Sequence, residues 1–231
     1  MRTEFIIGEK HCFLYKIGNG QQIPRCLIQA IDAHDLEVLD REVERIQELT
    51  GNASFLFAAF LIKDWNRELS PWQALAVFGK KPFGSGAKET LTFVIETLIP
   101  ELKKRYGSNE TLECYLGGYS LSGLFALWSG YQTDVFAGIA GVSPSVWFPG
   151  WEDFIRSHTM QSPLVYLSLG DREERTRNQV MARVGTAIRK QQEIFMETNE
   201  VQESILEWNP GNHFVDSELR MAKGFAWLLN R

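Results

Sequence analysis

The chain has 231 residues, of which 44% are hydrophobic and 12% aromatic, and its formal net charge at pH 7 is −5. This length suits a single α/β domain spanning residues 1–231, with a core large enough to be stable without disulfides or metals. The negative charge argues against nucleic acid as a partner, because binding phosphates requires a concentrated basic face.

From the amino terminus onwards, short apolar runs alternate with amphipathic stretches. The apolar runs predict strands at residues 11–17, 25–31, 54–62, 111–117, 135–143, 163–170 and 202–208. Stretches with apolar residues three or four positions apart predict helices at residues 36–50, 87–105, from just after 120, 176–198 and 215–229. Residues 18–24 form a turn between the first two strands, and residues 63–87 form a long loop rich in Trp, Pro and Gly. This alternation predicts an α/β fold with a mostly parallel central sheet and helices on both faces.

The three cysteines and the amino terminus indicate where the protein works. Cys12, Cys26 and Cys114 have no metal-ligand spacing and lie in or beside apolar runs, so we expect buried free thiols in a reducing compartment. The first residues lack the uninterrupted apolar run of a secretory signal, and no segment has the ~20 apolar residues of a membrane span. We therefore expect a soluble, cytoplasmic protein that has no membrane partner.

One strand-to-helix junction, CYLGGYSLSGLF at residues 114–125, resembles a nucleophile elbow. In such an elbow a serine occupies a strained turn, and the residues two before and two after it must be very small. Ser120 meets this requirement with Gly118 and Ser122, whereas Ser122 would have the bulky Leu124 two positions later. Ser120 is therefore the candidate nucleophile. The alternative is that Ser120 only caps the following helix.

A nucleophilic serine needs a base that takes its proton, and the chain order in this architecture is serine, acid, histidine. His213 follows the last predicted strand in a turn rich in Gly, Asn and Pro, which is the position expected of the base. Asp171, Glu173 and Glu174 follow the preceding strand, where one of them would orient the imidazole. We select Glu173 for its spacing from the glycine turn, with Asp171 and Glu174 as alternatives.

An oxyanion hole is built from backbone N–H groups rather than from particular side chains. The first donor should be Leu121, which directly follows the candidate nucleophile. The second should come from residues 32–35, which follow the second predicted strand, and of these we select Ala33.

Several segments together resemble the esterase family of α/β-hydrolases that includes enterobactin (enterochelin) esterases, S-formylglutathione hydrolases and mycolyltransferases. The likeness runs from about residue 25 to the end and rests on WNRELSPW (65–72), GGYSLSGLFALW (117–128), SPSVWF (143–148), the acidic turn after YLSLG and GNHF (211–214). The resemblance implies an α/β-hydrolase fold and a serine esterase that uses Ser120, an acid near 171–174 and His213. It also implies that Trp65 and Trp147 flank the acyl or alcohol pocket. Ser122 stands in place of the second elbow glycine, and the oxyanion segment DAHD lacks the glycine usual in relatives.

These observations predict a serine hydrolase that cleaves a small-molecule carboxylic ester through an acyl-enzyme and needs no metal or organic cofactor. A siderophore trilactone esterase and an acyltransferase are alternatives, because the same acyl-enzyme serves all three. A further alternative is a catalytically weak hydrolase fold that binds a ligand, suggested by the unusual oxyanion segment and the seven tryptophans. The sequence leaves the oligomeric state open.

Overall fold

The structure is a computed structural model that describes residues 2–18, 24–51, 53–106, 112–198 and 201–231. Its strands are β1 (Arg2–Ile7), β2 (Lys10–Ile17), β3 (Arg25–Ile31), β4 (Phe55–Leu61), β5 (Glu113–Tyr119), β6 (Phe136–Val142), β7 (Leu164–Gly170) and β8 (Glu203–Asn209). They form one eight-stranded sheet in the order β1-β2-β4-β3-β5-β6-β7-β8. β2 is antiparallel to both β1 and β4, while β3 to β8 run parallel to one another. Of the predicted turn at 18–24, residues 19–23 lie outside the described residues.

Helices cover both faces of this sheet. They are α1 (Ala33–Leu49), α2 (Trp65–Glu68), α3 (Ala87–Phe93), α4 (Ile99–Tyr106), α5 (Leu121–Gln132), α6 (Trp151–Ser157), α7 (Val184–Thr198) and α8 (Ser217–Leu229), with a π-helical segment, Val94–Leu98, between α3 and α4. Leu39 of α1 and Phe225 of α8 belong to the hydrophobic core on one face. Leu102 of α4, Leu127 of α5 and Ile188 of α7 belong to the core on the other face. The predicted α/β class, with a mostly parallel sheet, is confirmed.

Four elements differ from the sequence-based expectation, one of them being the short helix α2 inside the predicted loop at 63–87. β1 was not predicted, because as an edge strand it is half exposed and shows little apolar alternation. α6 was not predicted either, since it has only seven residues and begins after Gly150, whose φ is +82°. The helix predicted from residue 176 begins at Val184 instead. The side chain of Asn178 accepts hydrogen bonds from the N–H groups of Val180 and Met181 and holds a turn there.

The prediction that the cysteines are buried and free is confirmed for Cys12, Cys26 and Cys114. Burial raises the pKa of Cys12 and of Cys114 to about 11, so both stay protonated and unreactive near neutral pH. No helix within the described part of the chain is long and apolar enough to cross a bilayer.

The carboxyl ends of the parallel strands meet at one edge of the sheet, which is where α/β proteins place their sites. The candidate residues of the sequence analysis lie there. Ala33 follows β3, Ser120 follows β5, Glu173 follows β7 and His213 follows β8. The fold therefore brings together segments that are far apart in the chain.

Candidate active site

Ser120 lies on the sharp turn between β5 and α5, with φ 59° and ψ −121°. A non-glycine residue adopts a positive φ only under strain, and such strain is typical of functional turns. A Cβ on Gly118 would lie 2.3 Å from the backbone carbon and oxygen of Ser122, and one on Gly123 would lie 2.8 Å from the oxygen of Gly118. The turn is thus possible only because these two positions carry no side chain.

Ser122 has a structural role in the same turn. Its side chain is buried, and its Oγ donates a hydrogen bond to the backbone oxygen of Ala30 at 2.8 Å. This bond joins the start of α5 to the end of β3. Ser122 therefore occupies the position of the usual glycine without a clash and makes a contact that glycine could not make.

His213 reaches Ser120 from the loop after β8. Its Nε2 lies 3.0 Å from Ser120 Oγ, and its Nδ1 lies 2.7 Å from Glu173 Oε2. The hydroxyl of Tyr119 donates to the backbone oxygen of His213 at 2.7 Å, which fixes the loop above the elbow. The imidazole is hydrogen-bonded on both nitrogens, the arrangement needed for transferring a proton from the serine.

Glu173 is the acid that contacts the histidine. Its second oxygen, Oε1, accepts hydrogen bonds from Ser143 Oγ at 2.7 Å, from the N–H of Gly170 at 2.7 Å and from Arg220 Nη1 at 3.1 Å. Burial opposes ionisation, but the bond and charge of His213, together with the bonds from Ser143 and Gly170, hold the pKa of Glu173 below its usual value. The carboxylate is therefore charged, buried and hydrogen-bonded at both oxygens.

The two alternative acids point elsewhere. Asp171 is exposed and accepts the N–H of Gly211 at 2.8 Å, which shapes the loop that carries the histidine. Glu174 forms two hydrogen bonds with Arg189, at 2.9 Å and 3.3 Å. Of the three acids considered, Glu173 is the one placed against His213.

The first turn of α1 lies beside the elbow and begins with a capping box. Asp32 caps the helix by accepting from the N–H groups of His34 and Asp35, and Asp35 accepts in turn from the N–H of Asp32. Within the described residues, the N–H of Ala33 donates to no acceptor, and neither does that of Leu121 at the start of α5. Both predicted oxyanion donors are thus unoccupied N–H groups at helix N-termini, next to the Ser122–Ala30 bond.

The two candidate pocket tryptophans are both partly buried, and both pack against the same hydrophobic core. Trp147 packs against Phe78 and Phe83, with ring centroids 6.1 Å apart in both cases. Trp147 is two residues from Ser145, whose Oγ is 3.4 Å from Ser120 Oγ. Trp65 begins α2 and packs against the hydrophobic core. In the described part of the chain, no hydrogen bond or ring contact links Trp65 to Ser120 or His213.

The WNRELSPW segment, which contributed to the family resemblance, is a scaffold for the long loop. Glu68 binds the ammonium of Lys10 and the N–H of Asp64. The backbone oxygen of Glu68 accepts from the hydroxyl of Thr90, which ties this segment to α3. Its polar groups are therefore used for folding.

Sequence reasoning missed three side chains that support this site: Tyr119, Ser143 and Arg220. Each contacts Glu173 or the backbone of His213. Ser143 has a positive φ of 43°, a feature that sequence does not reveal. One sequence feature could have pointed to Arg220: it is a charged residue directly before the apolar Met221 and Ala222 in α8.

No protein-family model matches the chain, and no curated protein matches it. It is similar in structure to an IroE-like serine hydrolase from Shewanella oneidensis, at 14% identity over 100% of this chain and 80% of that chain, with a TM-score of 0.82. It is also similar to the siderophore hydrolase EstB from Aspergillus nidulans, at 14% identity over 99% of this chain and 94% of that chain, with a TM-score of 0.77.

The enterobactin esterase FES from Shigella flexneri is a third similar structure, at 16% identity over 100% of this chain and 59% of that chain, with a TM-score of 0.71. At these identities the likeness establishes the fold. The chain therefore has the α/β-hydrolase fold, as the sequence predicted.

Proposed function

We propose that this protein is a serine hydrolase that cleaves a small-molecule carboxylic ester through an acyl-enzyme. The observation that carries the proposal is the hydrogen-bonded chain from Glu173 through His213 to Ser120, with 2.7 Å and 3.0 Å between the heavy atoms. The strained turn at Ser120 and the order serine, acid, histidine along the chain support it. The serine hydrolases and esterases among the similar structures support it as well.

In the proposed reaction, Ser120 Oγ attacks the ester carbonyl carbon while His213 Nε2 takes the hydroxyl proton. Glu173 holds the imidazole through Nδ1 and stabilises the imidazolium that forms. The tetrahedral intermediate then collapses, the C–O bond breaks, and His213 gives its proton to the departing alcohol. Water attacks the acyl-enzyme by the same route and releases the carboxylic acid and the free serine. If an alcohol replaces water in this step, the same site is an acyltransferase.

The N–H groups of Leu121 and Ala33 are the proposed oxyanion donors. Each begins a helix, so the partial positive charge of a helix N-terminus adds to the hydrogen bond. Their lack of an acceptor among the described residues leaves both available to a substrate oxygen. The capping box of Asp32 and Asp35 fixes the orientation of Ala33.

A siderophore ester is the narrower candidate substrate. Two similar structures are a siderophore hydrolase and an enterobactin esterase, which act on substrates of this kind by their names. We propose the aromatic cluster of Trp147, Phe78 and Phe83 as an apolar wall of the pocket, suited to the uncharged part of an ester. The three buried free thiols support a reducing, cytoplasmic location.

The test is labelling with a fluorophosphonate probe, together with turnover of p-nitrophenyl acetate, p-nitrophenyl butyrate and a siderophore trilactone. We expect one label per chain in the wild type and in Ser122→Ala, and none in Ser120→Ala. The variants that are labelled should also be the ones that turn over the esters. Labelling that survives in Ser120→Ala would refute the assignment of the nucleophile. A folded wild-type protein that shows neither label nor turnover would instead support the catalytically weak binding protein. The trilactone separates a siderophore esterase from a general esterase.

A further inference from the structure

Arg220 is a fully enclosed arginine at the back of the candidate active site. It lies in the first turn of α8, and its side chain is 2% exposed. A buried guanidinium is costly unless it is paired and its donors are satisfied. Its partners therefore indicate why the position carries an arginine, in a helix that otherwise presents Met221, Ala222 and Phe225 to the core.

One side of the guanidinium contacts the acid. Arg220 Nη1 lies 3.1 Å from Glu173 Oε1, 3.3 Å from Ser143 Oγ and 3.3 Å from the hydroxyl of Tyr119. The carboxylate oxygen that faces Arg220 is the one that does not bind His213. Arg220 thus holds Glu173 from behind, opposite the imidazole.

The other side of the guanidinium contacts the histidine loop. Arg220 Nη2 donates to the backbone oxygens of Pro210 at 2.8 Å and Asn212 at 3.0 Å. Asn212 directly precedes His213, whose own backbone oxygen accepts from Tyr119. One planar, rigid side chain therefore joins two segments, the turn that carries the acid and the loop that carries the base.

We propose that Arg220 is a positioning residue of the serine hydrolase, which sets the distance and angle between Glu173 and His213 by binding both of their segments at once. This inference rests on the proposed function. Arg220 touches neither Ser120 nor the mouth of the site, so it acts through the acid and the histidine loop. It should accordingly affect the chemical step and leave substrate binding unchanged.

The experiment compares Arg220→Met and Arg220→Lys with a matched control, Lys223→Met, in the full chain. Lys223 lies one turn further along α8 and binds Glu207 and Asn209, away from the proposed machinery. With p-nitrophenyl acetate we expect Arg220→Met to lower kcat by about 10- to 100-fold with KM changed by less than about twofold, since small displacements of catalytic groups cost this much. Arg220→Lys restores the charge but not the fork to two carbonyl oxygens, so an intermediate kcat is expected. Lys223→Met should keep the wild-type kcat even where it lowers the melting temperature.

A double-mutant cycle with Glu173→Gln gives the second measurement. If Arg220 acts through Glu173, then Arg220→Met should lower kcat much less in the Glu173→Gln background than in the wild type. Three results would each overturn the inference. The first is that the effects of the two substitutions on kcat multiply in the cycle. The others are that folded Arg220→Met and Arg220→Lys both keep the wild-type kcat, or that Lys223→Met loses as much kcat as Arg220→Met. Should Arg220→Met fail to fold, Arg220→Lys in the same cycle decides the question. Absence of turnover in the wild type would refute the proposed function itself and is thereby distinguished from these results.

Discussion

At the scale of single residues, Glu173 divides its two carboxylate oxygens between two tasks. Oε2 faces His213, while Oε1 accepts three hydrogen bonds from Ser143, Gly170 and Arg220. A buried carboxylate without such donors would tend to be protonated and would then be a poorer partner for an imidazolium. The bond and charge of His213 and the donors to Oε1 together keep this carboxylate charged.

The first prediction separates the three acids of the turn. We expect Glu173→Gln to lower kcat by about 10³- to 10⁴-fold, because the acid that orients the histidine of a triad has an effect of this size. Asp171→Asn and Glu174→Gln should stay within about threefold of wild type, since these side chains bind Gly211 and Arg189 instead. Steady-state kinetics with a nitrophenyl ester would measure this. A large loss of kcat in either control variant, with Glu173→Gln active, would reassign the acid.

The residues of the site differ in how far the sequence could predict them. Ser120 and His213 could be selected because elbow sterics and chain order restrict them to very few positions. The acid stayed open among three residues of one turn, since only the folded turn decides which side chain faces inwards. Arg220 could not be assigned a contact at all, because its partners are 8 to 101 positions away along the chain.

At the scale of secondary structure, α1 connects folding to the candidate oxyanion hole. Its N-terminal N–H groups are shared between a cap and a prospective ligand: those of His34 and Asp35 bind Asp32, and that of Ala33 remains available. A capping residue fixes the direction of the first turn of a helix. Asp32 should therefore influence both the stability of α1 and the direction in which the N–H of Ala33 points.

The second prediction tests this double role with Asp32→Ala and the capping control Asp32→Asn. Asp32→Ala should destabilise the protein by about 1 kcal/mol, the usual cost of losing an N-cap. It should also lower kcat by roughly tenfold, because a misdirected donor stabilises the oxyanion less. Asn also caps helices well, so Asp32→Asn should keep most of both properties. Chemical denaturation and steady-state kinetics would measure the two effects. Loss of stability with an unchanged kcat in Asp32→Ala would argue against Ala33 as a donor.

Burial on both faces makes a strand easy to recognise from its sequence. β4, with six of its seven residues buried, has a continuous apolar sequence that identifies it. β1 lies at the sheet edge with one buried residue of six, so its sequence carries little periodic signal. The late start of α7 depends on Asn178, whose side chain also donates to the backbone oxygen of Val77 in the long loop. Such a tertiary contact is not visible in a local pattern.

At the scale of the whole molecule, the sheet lies between two cores, and we propose that residues 1–231 fold as one domain around it. The core beneath α1 and α8 contains an ionisable group, Glu42, whose side chain is buried against Gln29 of β3. Glu42 Oε1 and Gln29 Oε1 are both buried without a hydrogen-bond donor within the described residues. A protonated carboxyl could donate to such an oxygen, whereas a carboxylate cannot.

The last prediction therefore concerns stability against pH. Burial raises the pKa of Glu42 well above its usual value, and the nearby charge of Asp35 raises it further, against a smaller opposite effect of the bond from Gln29. Because the folded-state pKa is raised, the folded protein binds this proton more tightly than the unfolded chain does. The stability that this proton contributes to the fold is complete below the usual carboxyl pKa, about 4.3. It is lost as the pH rises through the folded-state pKa of Glu42.

Glu42→Gln should remove this dependence, since the amide is neutral at every pH and its N–H can donate to the Gln29 oxygen. We expect the free energy of unfolding of Glu42→Gln to equal that of wild type at about pH 4.5. Towards about pH 8 it should exceed the wild-type value by about 1–3 kcal/mol, the cost of an unsatisfied buried polar group. For a chain of this length that corresponds to roughly 2–12 °C in melting temperature. Glu44→Gln, an exposed change on the same helix, is the control and should give no pH-dependent gain. A constant or falling difference between Glu42→Gln and wild type over this pH range would mean that Glu42 is charged in the folded protein, and that its buried oxygens are satisfied in another way.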